Sequence, residues 1–127
     1  LLNKVPFADH NAMLDPTCPD ITGRVLEALC RCGLTPADSA VQRGVAYLIR
    51  TQERDGSWYG RWGVNYIYGT FLALRGLRAA EAAHAGDTVR KAAAFLRNVQ
   101  NADGGWGESC AGYRTNHFVS AASTPSQ

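Results

Sequence analysis

Apolar positions recur at helical spacing in four separate windows of the chain. In the first, Ile21, Val25, Leu26 and Leu29 share one side of a 3.6-residue period. Asp20 or Thr22 stands where a cap belongs and Gly33 follows the last apolar position, so a helix is predicted over 21–32. Val41, Val45, Leu48 and Ile49 form the next stripe and predict a helix over 37–53, with Pro36 tolerated at its first turn and Asp55-Gly56 as the break. Leu72, Leu74 and Leu77 mark a third helix over 65–82, with Gly69 inside it. Val89, Ala92, Ala93, Leu96 and Gln100 line one face of a fourth over 87–101, which Asp103-Gly104-Gly105 ends. No window alternates as a strand does, so the expected class is all-α.

The flanks are less regular. Residues 1–19 hold three of the five prolines and read as an irregular lead-in. Residues 107–127 read as a turn-rich connector, in which Ser123, Thr124 and Pro125 resemble the cap and first position of a fifth helix whose body is missing. The small-residue segment from Ala79 to Gly86 reads either as a solvated helix end or as a surface near an apolar channel or membrane.

A shift of 48 residues lays the chain on itself without a gap. Thr22 falls on Thr70, Leu26 on Leu74, Leu29 on Leu77, Val41 on Val89, Tyr47 on Phe95 and Leu48 on Leu96, and the register then continues through a shared turn. In that turn Gln52, Gly56 and Trp58 match Gln100, Gly104 and Trp106. A period of this length, with each unit a helix pair ending in QxxDGxW, predicts stacked αα-hairpin repeats over 21–58 and 69–106. The turn has a mechanical reading as a clamp. The glutamine amide supplies donors to helix-end carbonyls, the glycine allows φ > 0, and the tryptophan folds back to offer its indole N–H to a carbonyl.

Between the second and third stripes lies QERDGSWYGRWGVNYIYGT, Gln52 to Thr70, which holds two of three tryptophans and three of five tyrosines. Two readings stand for it: a rigid aromatic turn between helices, or a surface that an apolar or cationic ligand meets. Its first half has a twin in the second clamp, whereas the second half, Tyr59 to Thr70, has none apart from Thr70 itself.

Composition narrows the classes. A net charge of +2 from thirteen basic and eleven acidic residues, without a basic run, argues against a nucleic-acid surface. No apolar run reaches the ~20 residues that cross a bilayer, and the N-terminal residues lack a signal-peptide layout. Cys18, Cys30, Cys32 and Cys110 do not suggest a disulfide framework, because Cys30 and Cys32 point to different faces of one helix. With His10, His84 and His117 they also lack metal-ligand spacing, so no metal is expected.

QERDGSW and QNADGGW both fit the QxxxGxW motif of squalene-hopene and oxidosqualene cyclases. GSWYGRWGVNYIYGT, GGWGESC, STPSQ and the earlier DPTCPDITGRVLEAL resemble consecutive landmarks in the C-terminal half of a squalene-hopene cyclase, so the resemblance runs from Val5 to Gln127. It implies part of an α/α-barrel domain and an isomerase that needs no cofactor. It also implies cyclisation of linear squalene to a pentacyclic hopanoid, started by a proton from a DxDD motif. It further implies monotopic attachment at the cytoplasmic face of the cell membrane, and a homodimer. By the same resemblance Tyr68 lines the cavity and steers an early cation, with Tyr66, Trp62 and Cys110 as further cavity residues.

Two departures accompany the match. The seven aspartates are isolated from one another, so DxDD is absent, and the chain on its own is expected to be inactive. Hopene cyclases commonly have a histidine immediately before the second motif's glutamine, where this chain has Val99. Cys110 lies closer to Trp106 than the corresponding cysteine of oxidosqualene cyclases does. The rival readings are a non-catalytic αα-repeat interaction module and a protein like a prenyltransferase β-subunit. Their discriminator is whether Trp58, Trp62, Tyr66 and Tyr68 converge on a concave face or are buried between hairpins.

Overall fold

The computed structural model describes residues 16–123. Its elements are α1 (Pro19–Arg31), α2 (Ser39–Arg50), α3 (Asn65–Ala79), a 3-10 turn (Ala83–Ala85), α4 (Gly86–Asn98) and the single turn α5 (Gly112–Thr115). Among the described residues the one extended pairing is an isolated antiparallel bridge between Glu108 and Ser120. The chain is all-α, and the four long helices fall in the four predicted windows.

Their ends differ from expectation for local reasons. Helix α1 starts at Pro19 behind Cys18, and neither Asp20 nor Thr22 caps it. The Thr22 hydroxyl donates back to the Cys18 carbonyl at 2.8 Å. Helix α2 starts at Ser39 because the Asp38 carboxylate accepts from the N–H of Thr35 at 2.6 Å and from its hydroxyl at 3.0 Å. That closes a turn which keeps Pro36 outside the helix. The expected fifth helix start has two of its residues, Thr124 and Pro125, outside the described residues, as is most of the lead-in. Ser123 itself donates to Asp103 at 2.8 Å.

Helices α1 and α3 run parallel, since contacts that advance along one also advance along the other: Asp20 with Trp62, Arg24 with Tyr68, Glu27 with Arg75. They approach closely at two glycines. A methyl on Gly23 would lie 2.3 Å from the Leu72 carbonyl oxygen, and one on Gly76 would lie 2.7 Å from that of Gly23. Behind this contact the core gathers Leu26, Val41, Val45, Leu48, Trp58, Ala73, Leu77 and Ala92. Each of the larger side chains contributes roughly 1.5–3 kcal/mol by leaving water.

Both parallel helices end in the same way. After α1 the Leu34 N–H donates to Leu29 and the Gly33 N–H to Cys30, and after α3 the Ala82 N–H donates to Leu77 and that of Glu81 to Arg78. This is the double bond pattern of a Schellman stop, which needs a left-handed residue. Gly33 supplies it at φ +101 and Glu81, 48 positions later, at φ +46.

The two clamps share their hydrogen bonds. Gln52 Nε2 donates to the Gly56 carbonyl at 2.9 Å and Gln100 Nε2 to that of Gly104 at 2.6 Å. The indole N–H of Trp58 donates to Leu48, and that of Trp106 to Leu96, each at 2.8 Å. Asp55 and Asp103 each accept from the N–H two residues on, at 2.9 Å. Both turn glycines have positive φ, +94 at Gly56 and +84 at Gly104. One expectation is corrected: the glutamines bridge their own turn instead of serving the last carbonyls of the preceding helix. The tryptophans serve those.

Burial separates the two turns. Trp58 is fully buried and Trp106 is 40% exposed. A methyl on Gly56 would lie 2.5 Å from the Lys91 carbonyl oxygen of α4, whereas one on Gly104 would meet nothing within 4 Å among the described residues.

Candidate functional site

The first turn of α3 and the loop before it assemble the candidate site. The Gly60 N–H donates to the Asn65 carbonyl at 2.9 Å and folds the loop over the start of the helix. The ring of Tyr68 rests on that loop. A methyl on Gly60 or Gly63 would stand 2.5 Å or 2.6 Å from ring carbons, so glycine at both positions is what admits the ring. From α1, Arg24 Nη2 donates to the Tyr68 hydroxyl at 3.1 Å, and its guanidinium carbon lies 5.7 Å from the ring centroid. The ring is half-buried, with its polar end fixed by a cation.

Trp62 stands in the same loop. Its N–H donates to the fully buried Asp20 carboxylate at 2.9 Å. Asp20, read from sequence as a cap, therefore ties α1 to this loop. The indole remains 48% exposed, with the Arg61 guanidinium 5.6 Å from its ring. On the other side the Tyr113 hydroxyl of α5 donates to the Gly63 carbonyl at 2.7 Å. The loop is thus held at neighbouring residues by two separate elements.

The other candidates lie elsewhere. Tyr66 is 4% exposed and packs edge-on against Tyr59 at 5.7 Å, which in turn meets Tyr113 edge-on at 6.3 Å. Burial, and after it the Glu53 carboxylate, pushes the Tyr66 phenol up to about 12. Cys110 is exposed, and its carbonyl accepts the Tyr113 N–H at 3.2 Å. Tyr68 in the first turn of α3 and Trp62 in the loop it rests on are brought together, Tyr66 lies behind them, and Cys110 connects to the loop through Tyr113. Trp58 belongs to the first clamp. The four aromatics that were to discriminate the readings do not converge: Trp58 and Tyr66 are buried, while Tyr68 and Trp62 keep accessible surface.

Sequence reasoning missed Arg24, Tyr113 and Glu108. Glu108 accepts from the N–H of Tyr66 with both carboxylate oxygens at 2.9 Å, and with Oε2 from that of Ile67 at 2.9 Å. None of the three belongs to an apolar stripe. The repeat gives no hint of Glu108 or Tyr113 either, since their counterparts 48 residues earlier are Gly60 and Asn65. Among the described residues no group of three or more His, Cys, Asp or Glu side chains could hold a metal ion.

Four long helices, a Gln-Gly-Trp turn used twice and an aromatic loop seated at one helix start define an all-α fold. The sequence model of the squalene-hopene cyclase C-terminal domain matches residues 1–127. The chain belongs to the squalene-hopene cyclase family. It is 48% identical over 112 residues to a squalene-hopene cyclase of Zymomonas mobilis subsp. mobilis, covering 88% of this chain and 17% of that protein. It is 49% identical over 129 residues to a probable squalene-hopene cyclase of Sinorhizobium fredii, covering 99% of this chain and 20% of the relative. Likeness extends to a dammaradiene synthase of Dryopteris crassirhizoma, 42% identical over 130 residues, covering 88% of this chain and 19% of the relative. The chain therefore spans about a fifth of the length of the curated relatives it matches.

Proposed function

We propose that this chain forms part of an α/α-barrel in a triterpene cyclase that converts linear squalene to a pentacyclic hopanoid, with Tyr68 lining the cavity. Such a reaction starts when a strong acid protonates a terminal alkene, and it proceeds through carbocations that must be neither quenched nor trapped. An aromatic ring suits that task, because its face attracts a cation without offering a charged nucleophile that would combine with it. One observation carries the reading: in a chain of this family, Tyr68 keeps accessible surface while its hydroxyl is fixed by Arg24 and its ring by Gly60 and Gly63. Trp62 shares the seated loop and extends the aromatic surface.

The acid lies outside this sequence, which has no DxDD, so the 127-residue chain alone is inactive on squalene. A cyclic product from squalene incubated with the purified chain, detected by mass spectrometry, would refute this. Membrane attachment and dimerisation belong to the whole protein on this reading. Among the described residues no helix is long and apolar enough to cross a membrane.

The test of the cavity role is Tyr68→Ala in the full-length cyclase that contains this segment. The product mixture shifts toward prematurely quenched mono- and bicyclic species. An unchanged mixture overturns the role of Tyr68.

A further inference from the structure

Helix α3 starts without a local cap. Its N-cap position is Val64, which has no side-chain acceptor, and its first turn holds no acidic residue. The first N–H groups of a helix lack intrahelical partners and sit at the positive end of its dipole. Here they are met from 41 and 42 residues away, where Glu108 places both oxygens on the Tyr66 N–H and one on that of Ile67.

This matters because of what the first turn carries. Tyr68 is the next residue after Ile67, and its ring fits against Gly60 and Gly63 with no room for a methyl group. A shift of a few tenths of an ångström in the start of α3 must therefore move the ring or the loop. The chain segment that supplies Glu108 also supplies Tyr113, whose hydroxyl holds Gly63. One segment after the second clamp thus grips both halves of the Tyr68 seat, the helix start through Glu108 and the loop through Tyr113.

We infer that Glu108 is a positioning residue for Tyr68, acting through the backbone amides of α3 and touching no substrate. The inference rests on the reading of Tyr68 as a cavity residue. A carboxylate is required because both its oxygens accept. A glutamine would turn its own NH2 toward a backbone N–H, setting donor against donor.

The experiment uses the full-length cyclase containing this segment and compares Glu108→Gln, Tyr68→Ala and Gln52→Ala. Gln52→Ala weakens the first clamp without touching the Tyr68 seat and serves as the stability control. Glu108→Gln raises the share of prematurely quenched products about tenfold with KM little changed, a modest effect on the scale of misplaced reacting groups. Gln52→Ala lowers the thermal midpoint and leaves the product mixture as it was. If Tyr68→Ala alters the mixture and Glu108→Gln leaves it at wild type, the positioning role is overturned while the cavity reading stands. If Tyr68→Ala also leaves it unchanged, the cavity reading falls and takes this inference with it. Should Glu108→Gln fail to fold, Glu108→Asp keeps the charge and shortens the reach by one methylene. The same product shift then supports the role, and a wild-type mixture overturns it.

Discussion

Gln52 donates its side-chain amide to the carbonyl of Thr88 at 2.8 Å, linking the first clamp to the first turn of α4 across 36 residues. The same nitrogen closes its own turn on Gly56. Gln100 closes its turn on Gly104, and no bond to a second helix accompanies it among the described residues. The two glutamines are equal in sequence and unequal in reach. Gln52→Ala therefore leaves two carbonyls short of a donor in a half-buried turn and costs about 1–3 kcal/mol. Gln100→Ala removes a single exposed bond and costs about 0.5 kcal/mol. Urea midpoints of the two variants check the difference, and equal losses contradict it.

Glu81 occupies a left-handed position that its counterpart Gly33 fills without strain. For a residue with a Cβ that conformation costs roughly 1–2 kcal/mol. Glycine gives part of this back by adding freedom to the unfolded chain. Glu81→Gly is expected to stabilise the chain by about 0.5–1 kcal/mol. Gly33→Ala, which places a Cβ at φ +101, is expected to destabilise it. Thermal unfolding of both variants gives the two signs.

The contact of α1 with α3 sets helix propensity against sterics. Alanine is favoured over glycine inside a helix by about 0.8–1 kcal/mol. At Gly23 the added methyl would meet the Leu72 carbonyl oxygen at 2.3 Å and its carbon at 2.6 Å. Backbone cannot turn away as a side chain can, so sterics wins and Gly23→Ala costs about 1–2 kcal/mol net. Gly86 at the start of α4 is the contrast, with its nearest such contact the flexible end of Arg90 at 3.6 Å. Gly86→Ala is expected to be neutral or stabilising by up to about 1 kcal/mol. Denaturant unfolding that shows Gly23→Ala as stable as the parent would remove the close-approach argument.

The apolar stripes locate all four long helices because burial of one face is what makes those segments helical. The clamp is equally legible, since Gln52 to Trp58 and Gln100 to Trp106 spell the same hydrogen bonds. The ends of elements are less so. Asp38 closes a turn with Thr35 that displaces Pro36, and Asp20 looks like a cap while its carboxylate serves Trp62. The candidate site is partly legible. Its aromatics stand out by composition, but Glu108 and Tyr113 act across 42 and 50 residues, a distance at which no local pattern survives. Burial divides the aromatics further: Tyr66 and Tyr68 are two apart on one helix and so face different surroundings.

That division gives Tyr66 a measurable signature. Its phenol is pushed up to about 12, chiefly by burial and then by Glu53, while Tyr59 and Tyr113 are raised in the same direction, again chiefly by burial. Below the ordinary tyrosine value near 10 both folded and unfolded chains hold the proton, and Tyr66 contributes no pH dependence. Above it the unfolded chain releases the proton while the folded chain retains it. The unfolded state then binds fewer protons, and stability falls as pH rises toward about 12. Tyr66→Phe removes this group's share, so the loss between pH ~10 and ~12 becomes shallower without vanishing, because the other raised tyrosines remain. Urea midpoints of parent and variant across that range check it, alongside the tyrosinate absorbance of the folded parent. Parallel alkaline losses in the two proteins would mean that Tyr66 is not held protonated by its burial.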